Sequence, residues 1–341
     1  MSATRRKVAI VGLGMALTPH AQSLRDLADR VEVKAAYSPS AERRLACAAR
    51  FGFPTTASLD AILDDRGTEA VLLLTPPNTH AELAARLAGA GKHILMEKPV
   101  EADPGRAREL VQACERAGIK LGVVFQHRFR PGALALRAIM DAGRLGHVAA
   151  ANVQVPWWRP QSYYDEPGRG TLARDGGGVL ITQAIHVLDL FGTLTGGVAE
   201  VAAFAATTPL HWMEGEDFAA AALRLNGGGI GSLMATTAAY PGLGERIEII
   251  GEHGTAILAA GQLEVHFHDS TVEKAGEAGA SGGGADPMAF ANDAHRGVLA
   301  DFLDALEQDR QPTAHGREAL KVHALIEAIL ASARRGAPVR L

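Results

Sequence analysis

The chain has 341 residues, of which 47% are hydrophobic and 21% are charged, and these values are typical of a globular protein rather than a disordered one. Its 34 Lys and Arg residues nearly balance 38 Asp and Glu residues, so the formal charge is −4 and no long basic stripe is available for nucleic acid. The length predicts about two domains.

The amino terminus imitates a secretion signal without meeting its requirements. A basic segment at 5–7 precedes an apolar run at 8–17, but this run contains two glycines and continues into a helical pattern without a cleavage site. No other uninterrupted apolar stretch reaches the about 18 residues of a membrane span. Cys47 and Cys114 lie far apart and fit no metal-ligand spacing, which suits a reducing compartment. We therefore expect a cytoplasmic protein with no membrane partner and no nucleic-acid partner.

The first third of the chain alternates apolar runs with helical patterns, which is typical of a parallel sheet covered by crossover helices. The predicted strands are Lys7 to Leu13, Val31 to Tyr37, Ala70 to Thr75, His93 to Met96 and Lys120 to Phe125. The predicted helices are Pro39 to Phe51, Thr79 to Ala90 and Pro104 to Ala117. This pattern predicts a doubly wound α/β domain over residues 1–125.

After residue 125 the pattern changes to a helix from Pro131 to Gly143, followed by longer strand-like runs that glycine turns separate. The predicted strands are Val148 to Val155, Val198 to Thr207, Phe218 to Leu225, Ile230 to Thr237, Arg246 to Ile250, Thr255 to Leu258 and Leu263 to Phe267. A Gly-rich loop is expected at 275–285, and two closing helices are expected at 286–309 and 317–335. Residues 126–341 are therefore predicted to form a second domain on a large, mostly antiparallel sheet.

The segment Gly12-Leu13-Gly14 lies between the first predicted strand and the next helix. Glycine permits the tight turn and lets the backbone approach a pyrophosphate, which the helix amino terminus stabilises. The third glycine of the dinucleotide-binding pattern is missing, because Leu17 occupies its place. The segment alone therefore leaves nucleotide binding and an ordinary glycine turn equally open.

The end of the second predicted strand carries Ser38 where dinucleotide-binding proteins place an acidic residue. An aspartate there would bind the ribose hydroxyls and repel a 2′-phosphate, whereas Ser38 with Arg43 and Arg44 could accept that phosphate. The alternative is that both arginines only form a solvated helix face. The sequence therefore favours NADP(H), with NAD(H) as the alternative cofactor.

Two further motifs follow the ends of predicted strands, at the edge where open α/β sheets hold ligands. They are Thr75-Pro76-Pro77-Asn78-Thr79-His80 and Glu97-Lys98-Pro99. Taken singly, the first motif can be explained as a proline turn with an Asn cap, and the second can be explained as a surface ion pair. In their order after the glycine segment, they resemble the Gfo/Idh/MocA family of nicotinamide-dependent oxidoreductases, whose hallmark is Glu-Lys-Pro.

The resemblance covers essentially the whole chain. The glycine triplet at 176–178 and the following 182–189 segment are similar to the family helix that carries the catalytic histidine. The resemblance implies a fold of α/β plus α+β class, with an amino-terminal Rossmann domain and a carboxyl-terminal domain built on an open sheet. That second domain would bind substrate and make oligomer contacts, as a homodimer or homotetramer, and the closing helices are free to pack back on the first domain.

The resemblance assigns catalysis to two residues. Lys98 would contact the substrate hydroxyl or carbonyl, and His186 would act as the general acid/base. Taken alone, His186 would more simply be a core histidine bonded to Asp189, but its place after the glycine triplet favours catalysis. Many members have an aspartate four residues before this histidine, and Thr182 stands there instead. Thr182 indicates a different substrate class rather than loss of activity, and any proton relay passes through His186 and Lys98.

The resemblance also implies two sets of binding residues. The cofactor set is Gly12, Leu13, Gly14, Ser38, Arg43, Thr75, Pro76, Asn78, His80, Glu97, Lys98, Gln126, Trp158 and Arg159. The substrate set is Arg128, Trp157, Tyr163, Arg169, Thr182 and Gln183. Aromatic rings suit the C–H faces of sugars and arginines suit carboxylates, although Tyr163 and Tyr164 are equally open as core residues. Trp158 and Arg159, with Ser38 and Arg43, are similar to the NADP-using anhydrosugar reductases of the family.

The sequence is therefore expected to transfer a hydride between NADP(H) or NAD(H) and a secondary alcohol or ketone of a sugar, anhydrosugar, cyclitol or related derivative. Two alternatives stay open: redox-assisted glycoside cleavage or elimination with a retained NAD, and a catalytically silent cofactor-binding regulator. Retention of Lys98 and His186 favours the enzyme. The expected partner is a small carbohydrate-like molecule, and no metal site is expected because the remaining histidines show no ligand spacing.

Overall fold

The computed structural model describes residues 5–279 and 291–341, which form two compact units. Unit 1 comprises the residues up to Gln126 together with Asn292–Leu320. Unit 2 comprises the residues from His127 to Ala291 together with Lys321–Leu341. The first division falls next to the predicted one at 125, and the segment Asn292–Leu320 groups with unit 1 rather than with the second domain.

Unit 1 is built on six strands, and the predicted Rossmann sheet is confirmed. The strands are β1 (Arg6–Val11), β2 (Val31–Tyr37), β3 (Thr55–Thr56), β4 (Ala70–Leu73), β5 (His93–Met96) and β6 (Leu121–Val123). They pair in parallel in the order β3-β2-β1-β4-β5-β6. All of β4 is buried, because helices cover both faces of such a sheet. The sequence did not predict β3, which has only two residues.

Within residues 5–126, five α-helices connect the strands of unit 1 or flank them. They are α1 (Leu17–Asp26), α2 (Ala41–Phe51), α3 (Asp60–Leu63), α4 (His80–Gly89) and α5 (Pro104–Arg116). Side chains cap two of them at the amino terminus, since Ser40 accepts the amide of Arg43 and Asp103 accepts that of Arg106. The Ser40 cap begins α2 soon after β2 ends, so the first turn of α2 lies at the edge that carries the predicted motifs.

Unit 2 is built on a nine-stranded sheet, which confirms the predicted open, mostly antiparallel architecture. Its strands are β7 (Val148–Pro156), β8 (Val198–Ala206), β9 (Phe218–Leu225), β10 (Ile230–Thr236), β11 (Arg246–Gly251), β12 (Gly254–Ala259), β13 (Gln262–Phe267), β14 (Val272–Ala275) and β15 (Val339–Arg340). The order is β14-β13-β12-β11-β7-β10-β9-β8-β15, and only the β7–β10 pair is parallel within the described residues. Burial alternates along β9, so one face of the sheet is covered and the other is open.

Helices follow and precede the strands of unit 2. They are α6 (Pro131–Asp141), α7 (Gln161–Tyr164), α8 (Leu172–Asp175) and α9 (Ile185–Thr195), and a π-helical turn at Leu180–Ala184 leads into α9. Of these, α6 packs against β12, β13 and β14, and α9 packs against β7 and β11. The stretch Leu172–Thr195 has the length and apolarity of a membrane span, but 83% of its most apolar window is buried inside the protein. Its part from Leu180 through α9 therefore belongs to the core of unit 2.

Two helices close the chain. They are α10 (Asp293–Glu307) in unit 1 and α11 (Gly316–Arg335), within which the division between Leu320 and Lys321 falls. The predicted start of the first closing helix at 286, and the predicted Gly-rich loop from 280 onward, lie outside the described residues.

Candidate active site

The glycine segment of unit 1 forms the turn between β1 and α1. Gly12 has a φ of +105°, and a Cβ atom there would lie 2.7 Å from the carbonyl carbon of Leu74. At Gly14, by contrast, a Cβ atom would meet no atom within 4 Å. The close approach of neighbouring backbone therefore requires glycine at position 12, while position 14 leaves open space in which a ligand can approach the main chain.

His80 joins the two motifs at the ends of β4 and β5. Its Nδ1 lies 3.1 Å from the carbonyl oxygens of Pro99 and Val100, and its Nε2 lies 2.9 Å from that of Thr75. Burial lowers the pKa of His80. Because the ring is buried and both nitrogens face backbone carbonyls, His80 holds the two turns in place. His80 was predicted to contact the cofactor, but neither ring nitrogen points away from these carbonyls. Pro76 and Asn78 are exposed beside it.

Glu97 of the Glu-Lys-Pro motif lies in a buried cluster with two histidines that the sequence analysis missed. Its Oε1 is 2.7 Å from Nε2 of His20, its Oε2 accepts the backbone amide of Lys98 at 3.2 Å, and His295 meets His20 edge to face. The ligand-type atoms of the three side chains lie within 4.8 Å of one another. Burial alone would raise the pKa of Glu97, but the hydrogen bond and charge of His20, with the charges of His295 and Lys98, lower it to about 2.

The lowered pKa of Glu97 predicts an acid-sensitive contribution to stability. A carboxylate with a lowered folded pKa stabilises above its usual pKa of 4.5, and this contribution is lost as pH falls toward the folded value of about 2. Between pH 6 and pH 3.5, wild type should therefore lose on the order of 1 kcal/mol more unfolding free energy than Glu97→Gln in urea titrations. Glu42→Gln, at an exposed position of α2, is the matched control and should follow wild type. Parallel curves for wild type and Glu97→Gln would contradict the assignment.

The turn between β2 and α2 separates the roles of Arg43 and Arg44. Arg44 donates to the carbonyl oxygens of Ser38 and Pro39 at 2.7 and 3.0 Å, so it stabilises the turn itself. The Ser38 hydroxyl is buried and accepts the amide of Ser40. The Arg43 side chain is exposed and makes no hydrogen bond or ion pair with any described residue. Of the two arginines, Arg43 is therefore the one whose guanidinium is available to a ligand.

The glycine triplet of unit 2 begins the helical segment that carries His186. A Cβ atom on Gly178 would lie 1.8 Å from the backbone oxygen of Glu216, so only glycine fits there. The Glu216 carboxylate accepts the amides of Gly178 and Leu180 at 3.2 and 3.0 Å. Burial raises the pKa of Glu216. Glu216 thus caps the turn that leads into α9, and the sequence offered no signal for it beyond the triplet.

His186 is buried on α9, where His127 and Arg128 contact this helix. The His127 ring stacks on His186 with centroids 5.3 Å apart and planes 24° apart. The Arg128 guanidinium binds Asp189 through two hydrogen bonds of 2.6 and 2.5 Å, and both side chains are buried. Arg128 was predicted to bind substrate, but the structure places its guanidinium on Asp189, where it anchors α9 one turn beyond His186.

Five of the predicted binding residues come together in unit 2. They are Trp157, Arg159, Tyr163, Arg169 and Gln183. Arg159 is 1% exposed, although it was predicted to contact the cofactor, and it donates to Oε1 of Gln183 at 2.8 Å. Gln183 and Arg169 each donate to the Tyr163 hydroxyl at 2.9 Å. Tyr163 is therefore part of this polar network rather than of the apolar core.

The network rests on a buried pair that sequence reasoning missed. His211 lies between Asp217, 2.7 Å from its Nδ1, and the backbone oxygen of Arg159, 2.9 Å from its Nε2. Trp158 packs against His211 and Tyr240. Thr182 donates to the backbone oxygen of Gly178, as helical threonines commonly do.

Comparisons with known proteins give matches in both the amino-terminal and the carboxyl-terminal part of the chain. A family model described as "Oxidoreductase family, NAD-binding Rossmann fold" matches residues 6–125, and the "GFO/IDH/MocA C-terminal domain" matches residues 133–257. D-apiose dehydrogenase of Paraburkholderia graminis is 28% identical over 99% of this chain and 90% of its own length. Myo-inositol dehydrogenase Hyg17 of Streptomyces leeuwenhoekii is 32% identical over 72% of this chain and 74% of its own.

The solved structures extend this similarity. The WlbA dehydrogenase from Bordetella pertussis, in complex with NADH and UDP-GlcNAcA, is 31% identical, with a TM-score of 0.85 over 99% of both chains. This similarity covers both units of the fold. The turns at the strand ends of unit 1 and the segment around His186 in unit 2 therefore both lie in parts of the fold that this solved structure shares.

Proposed function

The chain belongs to the GFO/IDH/MocA oxidoreductase family, and we propose that it transfers a hydride between a nicotinamide cofactor and a secondary alcohol or ketone of a sugar, anhydrosugar, cyclitol or related derivative. The observation that carries the proposal is His186, a titratable ring held on α9 by His127 and by the Arg128–Asp189 pair. The named dehydrogenases of apiose and inositol support the class of substrate.

Each unit supplies its own part of the chemistry. The turn at Gly12 and Gly14 fits a dinucleotide, because the backbone there is open to close approach, and the bound nicotinamide supplies the hydride acceptor or donor. Lys98 holds the oxygen of the reacting carbon and stabilises negative charge that develops on it. His186 takes up the hydroxyl proton in oxidation and returns it in reduction.

A panel of candidate substrates tests this proposal. D-Apiose, myo-inositol, levoglucosan and D-glucuronate are each mixed with NAD⁺ or NADP⁺, and reduced nicotinamide is followed by absorbance. Net reduction with at least one of them supports hydride transfer. Cofactor binding without turnover of any compound favours the silent regulator, and substrate conversion without net reduction favours a retained cofactor.

For the cofactor we propose a preference for NADP(H), which the exposed guanidinium of Arg43 beside the β2–α2 turn supports. Arg43→Ala should weaken NADPH binding about tenfold, the expected loss of one charge-assisted contact, and leave NADH binding unchanged. Nicotinamide fluorescence titrations at fixed salt measure both. Arg66→Ala, an exposed arginine of the same unit, is the control. Equal NADPH affinity in wild type and Arg43→Ala would remove the phosphate-binding argument.

We also propose that the open face of the unit 2 sheet forms a homodimer. Phe204, 84% exposed, lies in one cross-strand row with Ala220, Met234 and Gln154. Phe204, Ala220 and Met234 give this row an apolar part, with Gln154 at its end, and an exposed apolar patch suits a self-complementary contact. Phe204→Glu should convert the dimer to a monomer in light-scattering measurements, because it places two like charges in the interface. Leu45→Glu, at an exposed position of α2, should not. A monomeric wild type would exclude this interface.

A further inference from the structure

His211 has an acceptor at each of its two ring nitrogens. Its Nδ1 lies 2.7 Å from Oδ2 of Asp217, and its Nε2 lies 2.9 Å from the backbone oxygen of Arg159. A neutral imidazole carries one N–H and can therefore donate to only one of these oxygens. The side chains of His211 and Asp217 are both fully buried, so bulk solvent does not supply a missing hydrogen bond. The geometry therefore calls for a hydrogen on both nitrogens, as in an imidazolium.

Asp217 is the anion that this cation requires. Its Oδ1 accepts the backbone amide of Thr208 at 2.7 Å, and its Oδ2 accepts the Thr208 hydroxyl at 2.6 Å. The Thr208 oxygen in turn accepts the amide of Leu210 at 3.3 Å, which leaves the hydroxyl hydrogen for Asp217. Hydrogen bonds donated to a carboxylate favour its charged form. Because an imidazole is ordinarily a stronger base than a carboxylate, the proton between the two side chains lies on His211.

Two aromatic rings pack against His211. The Tyr164 ring centroid lies 4.9 Å from that of His211, with the planes at 61°, and the Trp158 centroid lies 6.0 Å away, with the planes at 40°. Aromatic rings attract a cation within about 6 Å of their centroids. These contacts therefore suit a positively charged ring, and they hold it against the segment that contains Trp158 and Arg159.

The hydrogen bond from His211 to Arg159 continues to the segment that precedes His186. The Arg159 guanidinium donates to Oε1 of Gln183 at 2.8 Å, and this contact is buried. Gln183 belongs to the π-helical turn Leu180–Ala184, which leads directly into α9. Such π-helical turns occur frequently at functional sites. A chain of hydrogen bonds therefore connects His211 with the turn that places His186.

A second contact holds the same turn from the neighbouring residue in the sequence. Glu216, which directly precedes Asp217, accepts the backbone amides of Gly178 and Leu180 at 3.2 and 3.0 Å. The acidic pair at 216–217 thus fixes the segment before α9 at two places. Glu216 holds its first residues directly, and Asp217 holds Gln183 through His211 and Arg159.

We propose that His211, as an imidazolium paired with Asp217, is a positioning residue for His186. It fixes the backbone of Arg159, and thereby the Gln183 end of the turn that leads into α9. This inference rests on the proposed function, because it assigns the exchange of the substrate proton to His186. It adds a buried ion pair to the reaction without giving either member a contact with substrate.

Nitrogen spectra of the full chain test the charge of the ring. In ¹⁵N spectra at neutral pH, both ring nitrogens of His211, assigned with His211→Gln, should carry a hydrogen. Asp217→Asn keeps the size of the side chain and removes its charge, so one of these nitrogens should lose its hydrogen. His268, an exposed histidine of the same unit, is the control and should give the same signals in both proteins. A single hydrogen on the His211 ring of wild type would overturn the proposal.

His211→Phe tests the positioning role, because it keeps a ring in place and removes both hydrogen bonds. We expect kcat to fall about tenfold and KM to change less than about twofold, since a displaced general base slows proton transfer without removing a substrate contact. His211→Gln returns a donor near the position of Nε2 and should recover most of this loss. Ser332→Ala removes the two hydrogen bonds of another buried side chain of unit 2 and should keep wild-type kcat. Unchanged kcat in His211→Phe, or an equal loss in Ser332→Ala, would contradict the role.

A readout that needs no turnover separates this inference from the proposed function. The ring signals of His186, assigned with His186→Ala, should shift in His211→Phe and stay in Ser332→Ala. A shift supports the positioning role even where no compound of the substrate panel turns over, an outcome that counts against hydride transfer alone. Unmoved His186 signals would overturn the role although wild type turns over. If His211→Phe does not fold, Asp217→Asn replaces it in this comparison, because a neutral ring donates a weaker hydrogen bond to Arg159 and should move the same signals.

Discussion

Replacing His186 by alanine is expected to lower kcat by about 100-fold or more, because hydride transfer at a hydroxyl-bearing carbon requires a group that takes up or returns the proton. The ring is held on α9 with His127 stacked on it, so its removal takes away the proton acceptor without changing the glycine turn of unit 1. The measurement is steady-state reduction of the cofactor with whichever compound of the substrate panel turns over.

Two further measurements separate loss of chemistry from loss of structure. His186→Ala should bind NAD(P)H as wild type does, because the predicted cofactor-binding turns of unit 1 do not depend on this ring. His268→Ala, at an exposed position of unit 2, should keep wild-type turnover. Turnover of His186→Ala close to wild type would refute its role as the general acid/base.

Asp189→Ala is expected to lower the free energy of unfolding by about 3–5 kcal/mol, because it leaves the buried guanidinium of Arg128 without its carboxylate. Replacing both partners, as Arg128→Met with Asp189→Leu, should cost far less, since no buried charge remains. Urea titrations followed by tryptophan fluorescence measure all three proteins. The double replacement also tests whether the stability of α9 depends on the ion pair itself or only on side chains that fill the same buried space.

An exposed ion pair supplies the reference for this prediction. Asp141→Ala breaks the pair with Arg137 on α6, where both side chains are about half exposed, and should cost no more than about 0.5 kcal/mol. If Asp189→Ala were no more destabilising than Asp141→Ala, the Arg128–Asp189 pair would not be the anchor of α9.

Strands and helices with strong local patterns were predictable. The bounds of β2, β5 and β9 agree with the prediction, because continuous apolar runs and strict alternation are signals contained within the strand itself. The two-residue strands β3 and β15 were not predicted, because they are too short to carry any periodicity. Such strands form only where a neighbouring strand offers its edge.

In the candidate site, too, residues in local motifs could be predicted from the sequence, and contacts between distant residues could not. His186 and Lys98 could be singled out because each belongs to a local pattern that resembles the family: His186 follows the glycine triplet, and Lys98 is the middle residue of Glu-Lys-Pro. Arg128 was predicted to bind substrate, and nothing near it in the sequence shows that the structure pairs its guanidinium with Asp189. His80 likewise lies at a predicted ligand edge, but the structure turns its ring inward to backbone carbonyls.

The sequence by itself determined the fold class, because periodicity and turn glycines act over a few residues. The catalytic roles of Lys98 and His186 are implied by the family resemblance and stay a prediction. Only the tertiary structure decided which distant groups meet, such as the Glu216 carboxylate with the backbone amide of Gly178 and Glu97 with His20. The physical reason is that a buried charge or donor must find a partner wherever the chain brings one. That partner is set by the packing of whole elements and not by neighbours in the sequence.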